Sequence, residues 1–150
     1  MKQYVLDTSA LITYIEEEEG HEVVASLLNQ AVQREVELFI SIISCIELYY
    51  ISCKGQGEKI AEERLALINK LPLKQMLLAE NHITVIGKIK AANTIAFADS
   101  CIAGLTKTLQ ATLVHKDCEY DQLLNEVTQL KLPYKIKSGL VEKSGEGKKD

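Results

Sequence analysis

Short apolar runs alternate with longer stretches of helical spacing along this chain. Residues 3–6 read as a buried strand leading into an apolar helix at 8–15. The run Glu16–Glu19 reads as that helix's solvated end. Residues 21–36 place Val23, Val24, Leu27, Leu28, Ala31 and Val32 at helical spacing. ELFISII at 37–43 reads as a second strand. Ser44–Cys53 follows as a helix with Ile46, Tyr49, Tyr50 and Cys53 on one face, broken by Gly55 and Gly57. Residues 58–71 align Ala61, Leu65 and Ile68, and Pro72 ends that helix. The stretch 75–93 reads as helical despite Gly87. Asp99 opens a clearer helix that aligns Ala98, Cys101, Ile102, Leu105 and Leu109. Residues 111–115 read as a strand, then a last helix carries Leu123, Leu124, Val127 and Leu130. LKLPY at 130–134 reads as a final strand.

Short strands alternating with helices predict an α/β fold around a parallel sheet. A chain of 150 residues predicts one domain, over residues 1–136. KSGLVEKSGEGKKD at 137–150 is polar and rich in Gly and Lys, the composition of a disordered tail. MKQYVLD at the start is strand-like, and neither a signal peptide nor an 18-residue apolar span is expected. The four cysteines have no C-x-x-C spacing, so a structural zinc site is not expected and a reducing cytoplasm is.

A net charge of −4 argues against a protein that binds nucleic acid through bulk electrostatics. The charge is uneven, with six Lys and three acids in residues 131–150. An acidic enzyme can still act on phosphates, because a bound ion recruits them locally.

Four acids lie near element boundaries: Asp7, Glu47, Asp99 and Asp117, in YVLDTSAL, ISCIELYY, IAFADSCIAG and TLVHKDCEYD. Carboxylates beside apolar runs are costly to desolvate without a partner, and one divalent ion can serve several. Each acid also has an ordinary structural use. Asp7 and Asp99 could cap helices, Ser44 and Glu47 have capping-box spacing, and Asp117 could be a turn residue. Together they fit a shared site better. Strand C-terminal ends of an open parallel sheet converge on one edge, where ligands bind. Asp7 and Asp117 follow strands, Glu47 follows the second strand closely, and Asp99 opens its helix on the apolar side. Carboxylates gathered there would raise one another's pKa until a cation intervened. Oxygen-only ligands suit Mg²⁺ or Mn²⁺.

The motifs VLDTSALI at 5–12, SCIELYY at 44–50, FADSCIAGL at 97–105 and LVHKDCEYDQL at 113–123 resemble, in order, those of PIN-domain ribonucleases, most closely VapC-type toxins. The resemblance runs from residue 2 to about 134. It implies a three-layer α/β/α fold with a central, mostly parallel sheet. It also implies a metal-dependent endoribonuclease, the toxin of a toxin–antitoxin pair, leaving 5′-phosphate and 3′-hydroxyl ends by in-line attack of water. Asp7 and Asp99 would be direct ligands of Mg²⁺ or Mn²⁺, and Asp117 and Glu47 would bind a second ion or position the water. The partners implied are RNA, a small antitoxin that sends a basic side chain into the acidic site, and a second copy of the chain. One departure stands out: the family usually has Ser or Thr, often followed by Gly, before the fourth acid, where this chain has His115 and Lys116.

Secondary roles follow. Ser9 is expected to orient Asp7 by a hydrogen bond. Glu119 matches an acid of the family's closing motif and is expected to support the ligands from outside. His115 and Lys116 are candidate substrate contacts, although a packed histidine and a solvated lysine are the ordinary uses of such residues. Tyr120 reads as a packing residue. Ile42, Ile43, Ile46, Tyr49 and Tyr50 offer more apolar surface than one helix face needs, and a groove between the helices at 44–53 and 58–71 could take a partner helix. Two other readings compete: a PIN-fold binding module without chemistry, and a phosphoacceptor receiver-like domain. The second needs a middle-strand Asp acceptor, and Glu47 holds the nearest place.

Overall fold

Alternation along the strands sorts the apolar residues onto two faces of one sheet. The computed structural model describes residues 1–133. Its strands are β1 (Lys2–Leu6), β2 (Val36–Ser41), β3 (Lys74–Met76), β4 (Thr112–His115) and β5 (Thr128–Lys131). They lie in the order β3-β2-β1-β4-β5, and every pairing is parallel. Six α-helices connect them: α1 (Thr8–Ile15), α2 (His21–Val32), α3 (Ile42–Gln56), α4 (Glu58–Lys70), α5 (Ile83–Ala92) and α6 (Phe97–Leu109).

Leu6, Leu38, Ile40 and Val114 face one way and pack with Leu11, Val24, Leu28, Leu48 and Ile68 of α1 to α4. Val5, Phe39 and Leu113 face the other way, against Ile89, Ile102 and Leu105 of α5 and α6. Burying each such side chain contributes roughly 1.5–3 kcal/mol. The expected three-layer α/β/α sandwich is therefore the observed one. No described helix is long and apolar enough to cross a membrane.

The chain builds outward from β1 to β2 to β3, then crosses over to place β4 and β5 on the other side of β1. The winding direction reverses between β1 and β4. At such a switch point the loops leaving the strands part in opposite directions and open a crevice. Asp7 closes its floor, its N–H donating to the Val114 carbonyl at 2.9 Å.

Several expected elements differ. The last helix does not form: Cys118–Leu123 is a 3₁₀ segment, and β5 follows it. Leu123 and Val127 do enter the core beside α5 and α6, but Leu130 packs on the opposite face. Pairing with β4, through His115 opposite Lys131, wins over the helical spacing. β5 also starts and ends earlier than 130–134. The stretch at 75–93 holds the edge strand β3, a 3₁₀ turn at Glu80–His82 and only then α5. α3 begins at Ile42, capped by Ser41, whose Oγ accepts from the Ile43 N–H at 3.0 Å. Ser44 therefore caps nothing, and its hydroxyl is buried with no hydrogen-bond partner among the described residues. The domain limit expected at 136 and the tail at 137–150 lie outside the described residues.

Candidate active site

Asp7 ends β1 in extended backbone and N-caps α1. Its Oδ2 accepts from the Ser9 N–H at 2.9 Å and from the Ser9 hydroxyl at 2.5 Å. Ser9 thus holds Asp7 Oδ2 with both its N–H and its hydroxyl. Its Oγ also accepts from the Lys116 N–H at 2.9 Å, which joins the first and last motifs. Glu47 lies one and a half turns into α3, and the buried Thr8 donates to its Oε1 at 2.6 Å. Asp99 sits in the first turn of α6, but Ala96 is the cap residue, so the carboxylate is free for other use. Asp117 N-caps the 3₁₀ segment, accepting from the Glu119 N–H at 2.9 Å.

Asp7 and Asp117 therefore do both jobs, capping an element and standing beside other acids. Oxygens of Asp99, Asp117 and Glu119 lie within 4.8 Å of one another. Glu119, expected at the periphery, belongs to this tight trio, and its Oε1 also accepts from the Ala96 N–H at 3.3 Å. Asp7 joins the trio through Tyr120. That hydroxyl donates to Asp7 Oδ1 at 2.6 Å and lies 3.2 Å from Asp99 Oδ1.

Burial and mutual repulsion push Asp99, Glu47 and Asp117 toward their neutral forms. Asp99 is raised to about 9, by burial first and then by Asp7. Burial also raises Glu47, partly offset by the Thr8 hydroxyl, with Asp7 and Asp117 adding repulsion. Asp117 is raised mainly by burial. Tyr120 is raised well above the ordinary phenol value by burial, then by Asp7 and Asp99, so its proton stays in place as a donor. Among the described residues no ion pair ends on any of the five acids. Carboxylate oxygens this close to one another fit a hard divalent ion.

His115 and Lys116, the two expected substrate contacts, both have partners within the chain. His115 is wholly buried. Its Nδ1 accepts from the Asp117 N–H at 3.0 Å, which leaves the proton on Nε2, 2.7 Å from Gln129 Oε1. Burial lowers its pKa and favours this neutral form. Its ring lies 4.8 Å from that of Tyr120, tilted by 58°. His115 packs against Tyr120 and fixes the backbone of Asp117. Lys116 pairs with Glu18 at 3.6 Å and donates to the Glu19 carbonyl. That ammonium is engaged by the segment after α1.

Sequence reasoning missed the roles of Thr8, Tyr120 and Gln129. Thr8 lies inside the first motif, between Asp7 and Ser9, and was open to notice. Tyr120 was read as packing, and it does pack, but its hydroxyl also links two of the acids. Gln129, which joins His115 and the Tyr120 carbonyl, carries no sequence signal beyond an amide in a strand.

The sequence profile of the PIN domain matches residues 4–123. The chain belongs to the PIN domain family. No curated protein matches the sequence. Solved structures of low sequence identity share the PIN fold. VapBC2 from Rickettsia felis, bound to a DNA fragment from its promoter, superposes with a TM-score of 0.71 at 18% identity, covering 87% of this chain and 99% of that one. DNA-bound VapBC from Salmonella typhimurium gives 0.68 at 20% identity, over 87% and 98%. The sarcin-ricin-loop-cleaving toxin VapC20 from Mycobacterium tuberculosis gives 0.62 at 9% identity, over 79% and 93%. In this PIN domain the acids of the four motifs stand near enough for Asp7 and Asp117 to act on both Glu47 and Asp99.

Proposed function

We propose that this PIN domain is a metal-dependent endoribonuclease, the toxin of a toxin–antitoxin pair. What carries the reading is the convergence of Asp7, Asp99, Asp117 and Glu119, with Glu47 at the border, where the winding of the sheet reverses. Asp99, Asp117 and Glu119 would hold a Mg²⁺ or Mn²⁺ ion together with Asp7. When bound, such an ion lowers the pKa of a water and draws charge from a phosphate. Ser9 and Tyr120 hold the two oxygens of Asp7 in fixed directions. Glu47, held by Thr8 and raised by burial, is suited to position the attacking water and take its proton. The attack would release a 3′-hydroxyl and leave a 5′-phosphate. None of the acids needs to become a nucleophile, so no covalent intermediate is expected. RNA is favoured because a PIN-fold neighbour, VapC20, is a sarcin-ricin-loop-cleaving toxin.

An antitoxin partner is favoured by the company of the fold, since other solved neighbours are VapBC complexes. A groove of about 410 Å³ between α3 and α4, lined by Ile42, Ile46, Tyr49, Tyr50 and Leu65, would take its apolar segment. Exposed Ile46, Tyr50 and Ile51 also fit a homodimer contact. A cytoplasmic location follows from the same reading.

End-mapping of cleaved RNA tests the chemistry. Products carrying 5′-phosphates and 3′-hydroxyls are expected. Cyclic 2′,3′-phosphate ends would mean that the RNA's own 2′-hydroxyl attacks, and would overturn the reading.

A further inference from the structure

Phe97 is 63% exposed, although large aromatic side chains are usually covered. Single exposed apolar residues are common on proteins, so exposure alone says little. Its setting says more. Phe97 opens α6, two residues before Asp99. The loop that leads into it is stapled to the segment carrying Glu119. Thr94 donates its N–H to Gln122 Oε1 at 3.0 Å, and Gln122 Nε2 donates back to the Thr94 carbonyl at 2.9 Å. Gln122 Nε2 also reaches the Glu119 carbonyl at 2.9 Å, and the Ala96 N–H reaches the Glu119 carboxylate. The exposed Lys90 donates its ammonium to the Ile95 carbonyl, two residues before Phe97, and keeps two further donors. An uncovered aromatic ring and a cation are thus fixed to the same backbone that holds two of the acids.

We propose that Phe97 is a stacking platform for an unpaired base of the RNA, with Lys90 contacting a neighbouring phosphate. The inference rests on the nuclease reading and adds a specificity-determining element to it. A ring face accepts any base, so the platform favours single-stranded or loop RNA over paired RNA, whose bases are stacked on each other. Holding the loop in place beforehand spares the ordering of a mobile side chain on binding.

The chain has no Trp, so Phe97→Trp creates a lone indole at this position, which can be excited apart from the tyrosines. Titration with a short single-stranded oligoribonucleotide in Mg²⁺ should quench it, and an abasic chain of equal length should not. In cleavage assays Phe97→Ala should raise KM on the order of tenfold, the loss expected for one stacked base. Phe97→Tyr should restore it, Phe97→Leu should not, and the melting temperature should hold in all three. Equal response to the abasic chain, or an unchanged KM in Phe97→Ala, would overturn the platform while leaving the nuclease reading intact. Base-dependent quenching in Phe97→Trp, beside a wild type that cuts no RNA, would uphold the contact and overturn the nuclease reading.

Discussion

The Tyr120 hydroxyl stands between Asp7 and Asp99, 2.6 Å from one carboxylate and 3.2 Å from the other. One residue of the closing motif thereby sets the spacing of acids from the first and third. Tyr120 is fully buried and packs in the core, so the same side chain anchors the fold and the site.

Tyr120→Phe keeps the packing and removes the link. A hydrogen bond to a charged group contributes roughly 1.5–3 kcal/mol, and that loss is expected in denaturant unfolding of the metal-free protein. RNA cleavage should fall as well, because Asp7 Oδ1 loses its only described donor. Unchanged stability and unchanged cleavage would mean that the hydroxyl does neither job.

The raised acids predict how the metal-free protein responds to pH. Asp99 has a folded value of about 9 against 3.8 for the free group. Between those values the folded state binds more protons than the unfolded one, so stability falls as pH rises. The contribution is complete below about 4 and lost by about 9. Asp117 and Glu47, also raised, act in the same direction. Urea unfolding in chelator should give lower stability at pH 8 than at pH 5, with a flatter profile for Asp99→Asn. A wild type and variant with identical profiles would contradict the burial of that carboxyl.

Metal binding should release a proton for the same reason. Near neutral pH Asp99 holds a proton that a cation must displace, so affinity for Mn²⁺ should climb with pH toward about 9. Calorimetry in buffers of different ionisation enthalpy counts the proton. The melting temperature should rise as well, by mass action equivalent to about 2.7 kcal/mol at a hundredfold excess over the dissociation constant. Binding that is indifferent to pH would place the ion away from Asp99.

Gly104 tests the scaffold away from the chemistry. A Cβ there would meet Ile86 Cγ1 at 2.5 Å, across the contact between α5 and α6. Gly104→Ala should destabilise by roughly 1–3 kcal/mol through overpacking. A melting temperature at or above that of the wild type would show that Ile86 moves aside freely.

Much of the fold and the acid set was legible because period and order are local signals. Apolar strands at 3–6, 37–43 and 111–115, each followed by an acid, point to one edge of a parallel sheet. β3 was invisible because KQM is a polar edge strand with no apolar run to mark it. The start of β5 was hidden by Leu123, Leu124, Val127 and Leu130, whose spacing fits a helix until β4 offers a neighbouring strand. The cap of α3 was misread because Ser41 and Ser44 have the same chemistry, and Glu47 stands at capping-box distance from the wrong one. His115 and Lys116 read as candidate substrate contacts beside an acid, with packing and solvation as their ordinary uses. Only the tertiary structure reveals that Gln129, the Asp117 backbone and Glu18 already occupy them.

The central claim is that these carboxylates hold the ion that cleaves RNA. It is tested most directly by assaying a single-stranded RNA with wild type and Asp99→Asn, in chelator and after return of Mg²⁺ or Mn²⁺. Cleavage by the wild type only when metal is restored, and none by a folded Asp99→Asn under any condition, is the predicted result. Cleavage by the wild type in chelator, or by Asp99→Asn at the wild-type rate, would contradict the account.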